Sequence, residues 1–279
     1  MHRIPLACAD FSFPLLPHEQ TLSLIAGMGI EGVDISLMFQ RSHLDVEAVL
    51  ANPRPAAREL SSRLADRGLA IADINFTPGP DFRTRAVNHP DPAERRSSAE
   101  MFRKAVEFAV LSNAVHMTIL PGVHWESEDY ESSLARCAEE LRWRVEEASR
   151  VGVIVSVEAH LGSIVPTPAQ AVRLLDLVSG LTLTLDYTHF TYQGFTDPDC
   201  EALLPRASHF HARGGRRGRL QAPLKESSID YRRVLEKMKE VDYRGYFAIE
   251  YVWIDWEHCN ETDNVSETIL MRDLANQFR

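Results

Sequence analysis

Long apolar runs are missing from this chain. No stretch approaches the ~20 apolar residues of a membrane-spanning helix. The beginning, Met1-His-Arg-Ile-Pro-Leu6, has no signal-type hydrophobic core, because Asp10 interrupts any apolar run. Cysteine is sparse. Cys8, Cys137, Cys200 and Cys259 are scattered, and none stands at metal-finger spacing. The expectation is free thiols in a reducing cytoplasm. Basic residues are outnumbered, 30 against 40 acidic, for a formal net charge of −10. An acidic chain is a poor partner for a nucleic-acid backbone or an anionic membrane unless its basic residues cluster, so neither partner is expected. There is no low-complexity tract, internal repeat or linker, and a single domain over residues 1–279 is expected. The first strand-to-helix turn, Asp10-Phe-Ser-Phe-Pro14, contains no glycine. That counts against a doubly wound sheet, whose first turn is Gly-rich where it binds a nucleotide.

What is present is a strict alternation. Short apolar stretches at residues 4–9, 32–36, 69–76, 115–120, 153–160, 181–185, 208–212 and 246–251 read as strands. Helical patterns separate them. Asp91-Pro-Ala-Glu94 and Thr167-Pro-Ala-Gln170 each place a cap and then proline at a helix start. Helices are expected over 17–28, 46–50, 56–67, 91–112, 130–150, 228–241 and 264–278, from 167 onward, and a short one near 199–204. Pro53 and Pro55 should separate the second from the third. Eight strands, each followed by a helix, call for parallel strands with helical crossovers. In about 280 residues that is the size of a (β/α)8 TIM barrel.

In such a barrel, chemistry sits at the C-terminal ends of the strands. The stretch 153–160, Val-Ile-Val-Ser-Val-Glu-Ala-His, delivers Glu158 there. The next three strands deliver Asp186, His211 and Glu250. A carboxylate at the end of a buried strand is costly without a partner. Three carboxylates and one imidazole on four consecutive strands suit a hard or borderline divalent ion, Mn²⁺, Mg²⁺, Co²⁺ or Zn²⁺. His189, three residues after Asp186, is a further ligand or a substrate contact. A metal between two glutamates polarises a carbonyl or hydroxyl oxygen and acidifies the adjacent C–H. One glutamate can then remove the proton while another group returns it.

The segments Val-Glu-Ala-His (157–160), Leu-Asp-Tyr-Thr-His-Phe (185–190), His-Phe-His-Ala-Arg (209–213) and Ile-Glu-Tyr (249–251) resemble the xylose-isomerase-like barrels. They resemble most the sugar phosphate isomerase/epimerase group. The resemblance implies one divalent metal, often Mn²⁺, held by Glu158, Asp186, His211 and Glu250, with Glu158 and Glu250 doubling as acid and base. It implies substrate contact by His189 and by an arginine soon after His211. Arg217 by spacing and Arg213 by proximity to the strand end both qualify, and Gln221 lies just beyond them. His160 is placed at the mouth, whereas His116 and His209 are expected to be structural. Such barrels are often dimers or tetramers, so the resemblance extends to a homo-oligomer.

The leading functional expectation is a metal-dependent isomerase or epimerase of a sugar or keto-sugar. A lyase that releases the aglycone of a 3-keto-glycoside by β-elimination would use the same proton abstraction, with Tyr251, Trp253 and Trp256 beside the aglycone. An endonuclease acting at abasic DNA sites shares the barrel, but it needs a three-metal cluster. Asn75-Phe76 ends the third strand and no Asp-x-His follows the seventh, so that reading is remote. A non-catalytic sugar-binding protein is the last alternative.

Overall fold

The computed structural model describes residues 3–279; Met1 and His2 lie outside the described residues. Eight strands run through it: β1 (Leu6–Ala9), β2 (Gly32–Met38), β3 (Ala70–Thr77), β4 (His116–Ile119), β5 (Ile154–Glu158), β6 (Thr182–Asp186), β7 (Ala207–Ala212) and β8 (Phe247–Ile249). Every neighbouring pair is parallel, and β1 pairs with β8 to close the barrel. Ten helices surround it: α1 (His18–Gly27), α2 (Val46–Ala51), α3 (Pro53–Ala65), α4 (Pro92–Leu111), α5 (Tyr130–Ser149), α6 (Pro168–Leu177), α7 (Tyr187–Gln193), α8 (Asp197–Glu201), α9 (Tyr231–Glu240) and α10 (Asn264–Phe278). No helix among the described residues is long and apolar enough to cross a membrane. Cys8, Cys137, Cys200 and Cys259 are free and buried.

Local chemistry sets most helix starts. Asp45, Asp91, Asp129, Thr167 and Asp263 cap α2, α4, α5, α6 and α10, each side chain accepting from a backbone N–H of the first turn. Pro53 opens α3 at its first position, where its missing N–H costs nothing, instead of separating two helices by a loop. One helix has no counterpart in the sequence pattern. α7 begins immediately after β6 and ends on Gly194 in a left-handed conformation (φ 98°).

The apolar side chains of the strands point outward into the helices. Val155, Val157, Leu183, Leu185 and Phe210 all join that main core. The barrel interior is polar instead. Thr118, Ser156 and Thr184 share hydroxyl hydrogen bonds of 2.6–3.2 Å. Below them His116 Nδ1 lies 2.7 Å from Asp73 Oδ1, and its Nε2 lies 2.7 Å from Ser208 Oγ. A barrel interior is more often filled by branched apolar residues. Here the hydroxyls of Thr118, Ser156 and Thr184 and the His116 ring find partners inside, so for these groups the desolvation cost of about 1–3 kcal/mol per unpaired group is avoided. This column is what the charged residues at the strand ends rest on.

The start of β8 has no room to spare. A Cβ on Gly245 would collide with the Ser208 carbonyl oxygen and the Tyr243 hydroxyl. Gly245→Ala is expected to destabilise the protein by about 1–3 kcal/mol, the usual cost of overpacking, measured by denaturant unfolding.

Candidate metal and substrate site

Register brings the strand ends level. Glu158 is paired with Thr184, Asp186 with His211, and Ala212 with Ile249, which places Glu250 directly beyond β8. His211 is the hub. Its Nδ1 lies 2.9 Å from Glu158 Oε1 and 3.3 Å from Glu250 Oε1. On the other side of the ring, Nε2 lies 3.4 Å from Asp34 Oδ2. Asp186 stands slightly apart. Its Oδ1 accepts from the Thr188 N–H and hydroxyl, capping α7, and its Oδ2 accepts from Arg213 Nη2 at 2.9 Å. The expected ligands therefore form two overlapping groups whose candidate ligating atoms lie within 4.8 Å of one another: Glu158, His211 and Glu250, and Glu158, Asp186 and His189. Glu158 belongs to both.

α7 explains the place of His189. The capped first turn carries the ring back toward the barrel axis, where Nδ1 accepts from the Leu161 N–H and Nε2 lies 3.6 Å from Asp186 Oδ2. His160 Nδ1 is 2.6 Å from the Leu161 carbonyl and donates to it, which leaves Nε2 buried without a hydrogen-bond partner. Arg213 is only 3% exposed and is held by Asp186 and the Thr188 hydroxyl. The Tyr231 and Tyr251 hydroxyls accept from the backbone N–H groups of Arg213 and Gly214. The two remaining candidates lie elsewhere. Arg217 is exposed and lies beside Gly194. Gln221 is buried, and its amide is fully engaged with the backbone of Val252 and Cys259. It ties down the loop after β8 and does not line the cavity.

That cavity, about 560 Å³, opens above the carboxylates and is lined by Glu158, His160, His189, Arg213 and Glu250 on its floor. Its walls are largely apolar, with Phe11, Met38, Phe82, Val252, Ile254 and Trp256, and Arg41 and Asp81 add charge among them. Phe82 packs against His160 at 4.4 Å between ring centroids, and its edge meets Trp256 at 5.8 Å. Sequence reasoning missed Phe82, which lies in the loop after β3, far along the chain from the strand ends. It also missed Asp34. A signal existed there, since Asp34 is a lone charge inside the apolar run Gly32-Val-Asp-Ile-Ser36.

The electrostatics follow from burial and crowding. Burial by itself would push the His211 imidazole down. Glu250, Asp34 and Glu158 outweigh it and hold His211 well above its ordinary range. Burial likewise opposes ionisation of Glu158, but His211, then His189 and His160, keep its carboxyl below the usual range. One imidazolium cannot neutralise two glutamates fully. Burial therefore drives the Glu250 carboxyl up to about 8, against the pull of His211 and Arg213. Burial also lowers His189 to about 4, so it stays neutral near pH 7.

The donor set fits a divalent cation. Four buried carboxylates, counting Asp34, face one guanidinium and one imidazolium, a surplus of negative charge that has no partner. Glu250 Oε2 is buried with no hydrogen-bond partner. Oxygen-rich sets with one imidazole are what Mn²⁺ or Mg²⁺ takes.

Comparison with known proteins agrees with this architecture. The family model described as xylose isomerase-like TIM barrel matches residues 22–273, and the chain belongs to that family. No curated protein matches it in sequence. Among solved structures, D-psicose 3-epimerase with D-tagatose from Clostridium cellulolyticum H10 aligns with TM-score 0.75 at 13% identity, over 99% of each chain. A xylose isomerase-like TIM barrel protein from Mycobacterium smegmatis in complex with magnesium gives 0.75 at 16%, over 100% of this chain and 98% of that one. A 3-keto-D-glucoside 4-epimerase from E. coli gives 0.73 at 13%, over 97% and 100%. At these identities the likeness is one of fold.

In the folded chain His211, with His189 and His160, holds the Glu158 carboxyl well below the ordinary glutamate range, against the effect of burial. Its contribution to stability is therefore present above about pH 4.5 and lost as pH falls through the folded value. Chemical denaturation of the metal-free protein between about pH 7 and pH 3 should show this acid limb. In Glu158→Gln the limb should be shallower.

Proposed function

We propose that the protein is a divalent-metal-dependent isomerase or epimerase of a sugar or keto-sugar. The observation that carries this reading is the convergence of Glu158, His211 and Glu250 on one point at the floor of an open cavity, with Asp186 and His189 beside them. Glu158, Asp186, His211 and Glu250 are the proposed ligands, and Mn²⁺ is the first choice ahead of Mg²⁺, Co²⁺ and Zn²⁺. When bound, the cation would polarise the substrate oxygen and acidify the neighbouring C–H.

The chain's own groups then have separate tasks. One of the two glutamates removes the proton from the carbon next to the carbonyl, and the other returns it from the opposite side. Glu158 and Glu250 come from β5 and from beyond β8, so they approach a bound ring from different sides. His160 lines the cavity and its buried Nε2 has no hydrogen-bond partner, so it can accept from a substrate hydroxyl, and His189 lies beside it. Arg213 supplies fixed positive charge where an enolate oxygen would form.

The apolar walls favour a second outcome on the same site. Burying a sugar hydroxyl against Phe82, Met38 or Ile254 without a hydrogen bond costs about 1–3 kcal/mol. An apolar aglycone fits there better. With a 3-keto-glycoside, proton removal by one glutamate gives an enolate. Collapse of the enolate breaks the bond to the aglycone two carbons away. The aglycone leaves with the electron pair and takes a proton from the other glutamate.

Glu158→Gln and Glu250→Gln should each slow Mn²⁺-dependent exchange of a substrate C–H proton with solvent deuterium by about 100-fold or more, followed by NMR. Undiminished exchange in both variants would sink the mechanism. To separate the two outcomes, Trp256→Ala and Phe82→Ala should raise KM for a phenyl 3-keto-glucoside by about 10-fold or more, the worth of burying an aromatic group. KM for the methyl analogue should hardly move.

A further inference from the structure

We infer that Asp34 is a positioning residue for the metal centre: its carboxylate keeps a proton of His211 on Nε2, so that Nδ1, which faces Glu158 and Glu250, is the nitrogen that gives up its proton and ligates when a cation binds. The inference rests on the metal-centre reading above. His211 is fully buried, so each ring nitrogen must find its partner inside the protein. Nδ1 faces the two glutamates at 2.9 and 3.3 Å. Nε2 has no hydrogen-bond partner at normal distance, and the carboxylate oxygen facing it, at 3.4 Å, is Asp34 Oδ2. The same oxygen lies 2.9 Å from His209 Nε2, so two imidazole edges converge on one carboxylate.

The backbone is built to bring that carboxylate there. The pairing of β2 with β3 slips by one residue between Val33 and Asp34, so that Val33 opposes Ile71 while Asp34 opposes Asp73. Irregularities of this kind re-aim side chains beside functional sites. The arrangement is also costly. Asp34 is 0% exposed and its Oδ1 has no hydrogen-bond partner. A buried, half-satisfied carboxylate lowers stability. An apolar residue there would leave the buried Nε2 atoms of His209 and His211 with no acceptor.

Asp34, His209 and His211 could also be taken for a second cation site, since their ligating atoms lie within 4.8 Å. The geometry argues otherwise. Both Nε2 atoms approach a single carboxylate oxygen, as two donors sharing an acceptor do, and all three side chains are sealed from solvent. A ligating histidine commonly donates its second N–H to a carboxylate, which fixes the tautomer and strengthens the ligand; losing that partner typically costs 10–100-fold in metal affinity. His209 holds the same carboxylate oxygen and so steadies it beside the His211 ring.

The test is Mn²⁺ affinity, measured by equilibrium titration on full-length wild type and Asp34→Asn. Asn keeps the shape and removes the charge. The expected result is a Kd raised about 10- to 100-fold in Asp34→Asn, with circular dichroism showing an unchanged fold. A wild-type Kd with no change in the variant overturns the role of Asp34 alone. No Mn²⁺ binding by the wild type overturns this inference together with the metal-centre reading. A second measurement needs no variant. In wild type loaded with diamagnetic Zn²⁺, long-range ¹H–¹⁵N spectra should show a hydrogen-bonded N–H at His211 Nε2. An Nε2 proton with the shift of a free imidazole N–H overturns the inference even if Asp34→Asn does not fold.

Discussion

One imidazole ring set among carboxylates organises this molecule. His211 is completely buried, with Glu158 and Glu250 on one side and Asp34 on the other. Charges so placed are costly in a low-dielectric interior unless each is matched. The matching is incomplete on the cavity side, where Glu250 retains an unpartnered oxygen and a raised carboxyl, and close to complete on the side of Arg213 and Asp186. The asymmetry locates the place where a cation is wanted, and it does so from charge balance alone.

The polar barrel interior is the support for that arrangement. A plug of valine and isoleucine would leave the carboxylates resting on hydrocarbon. The hydroxyls of Thr118, Ser156 and Thr184 and the His116–Asp73 pair fill the same volume with matched donors and acceptors. The apolar residues of the strands turn outward and join the helices in the main core. Alternation along each strand accomplishes both ends: Val155 and Val157 pack outward while Ser156 and Glu158 reach the axis.

The loops add a different chemistry above the floor. Phe82 from the β3 loop and Trp256 from the loop after β8 meet over His160 and His189. The Gln221 amide pins the second of these loops through Val252 and Cys259. The result is a polar, charged base under apolar walls, a shape suited to a ligand with one hydroxyl-rich end and one greasy end.

The sequence by itself carried the barrel and the strand ends. Eight apolar stretches separated by capped helices leave few ways to bury their faces, and Glu158, Asp186, His211 and Glu250 each stand at the end of one. It did not carry α7, because Asp186 acts there as a cap while its strand is still ending, and a seven-residue helix shows too little periodicity to read. It did not separate Arg213 from Arg217, four residues apart in one arginine-rich loop. Only the pairing of Arg213 with Asp186 across 27 positions draws one inward and leaves the other in solvent. Asp34 was marked in the sequence only as a lone charge in an apolar run, and Phe82 not at all; the contacts of both were decided by tertiary structure. Each meets its partners from a distant part of the chain, and a side chain's contacts across a closed sheet depend on register and loop path, which local pattern does not encode.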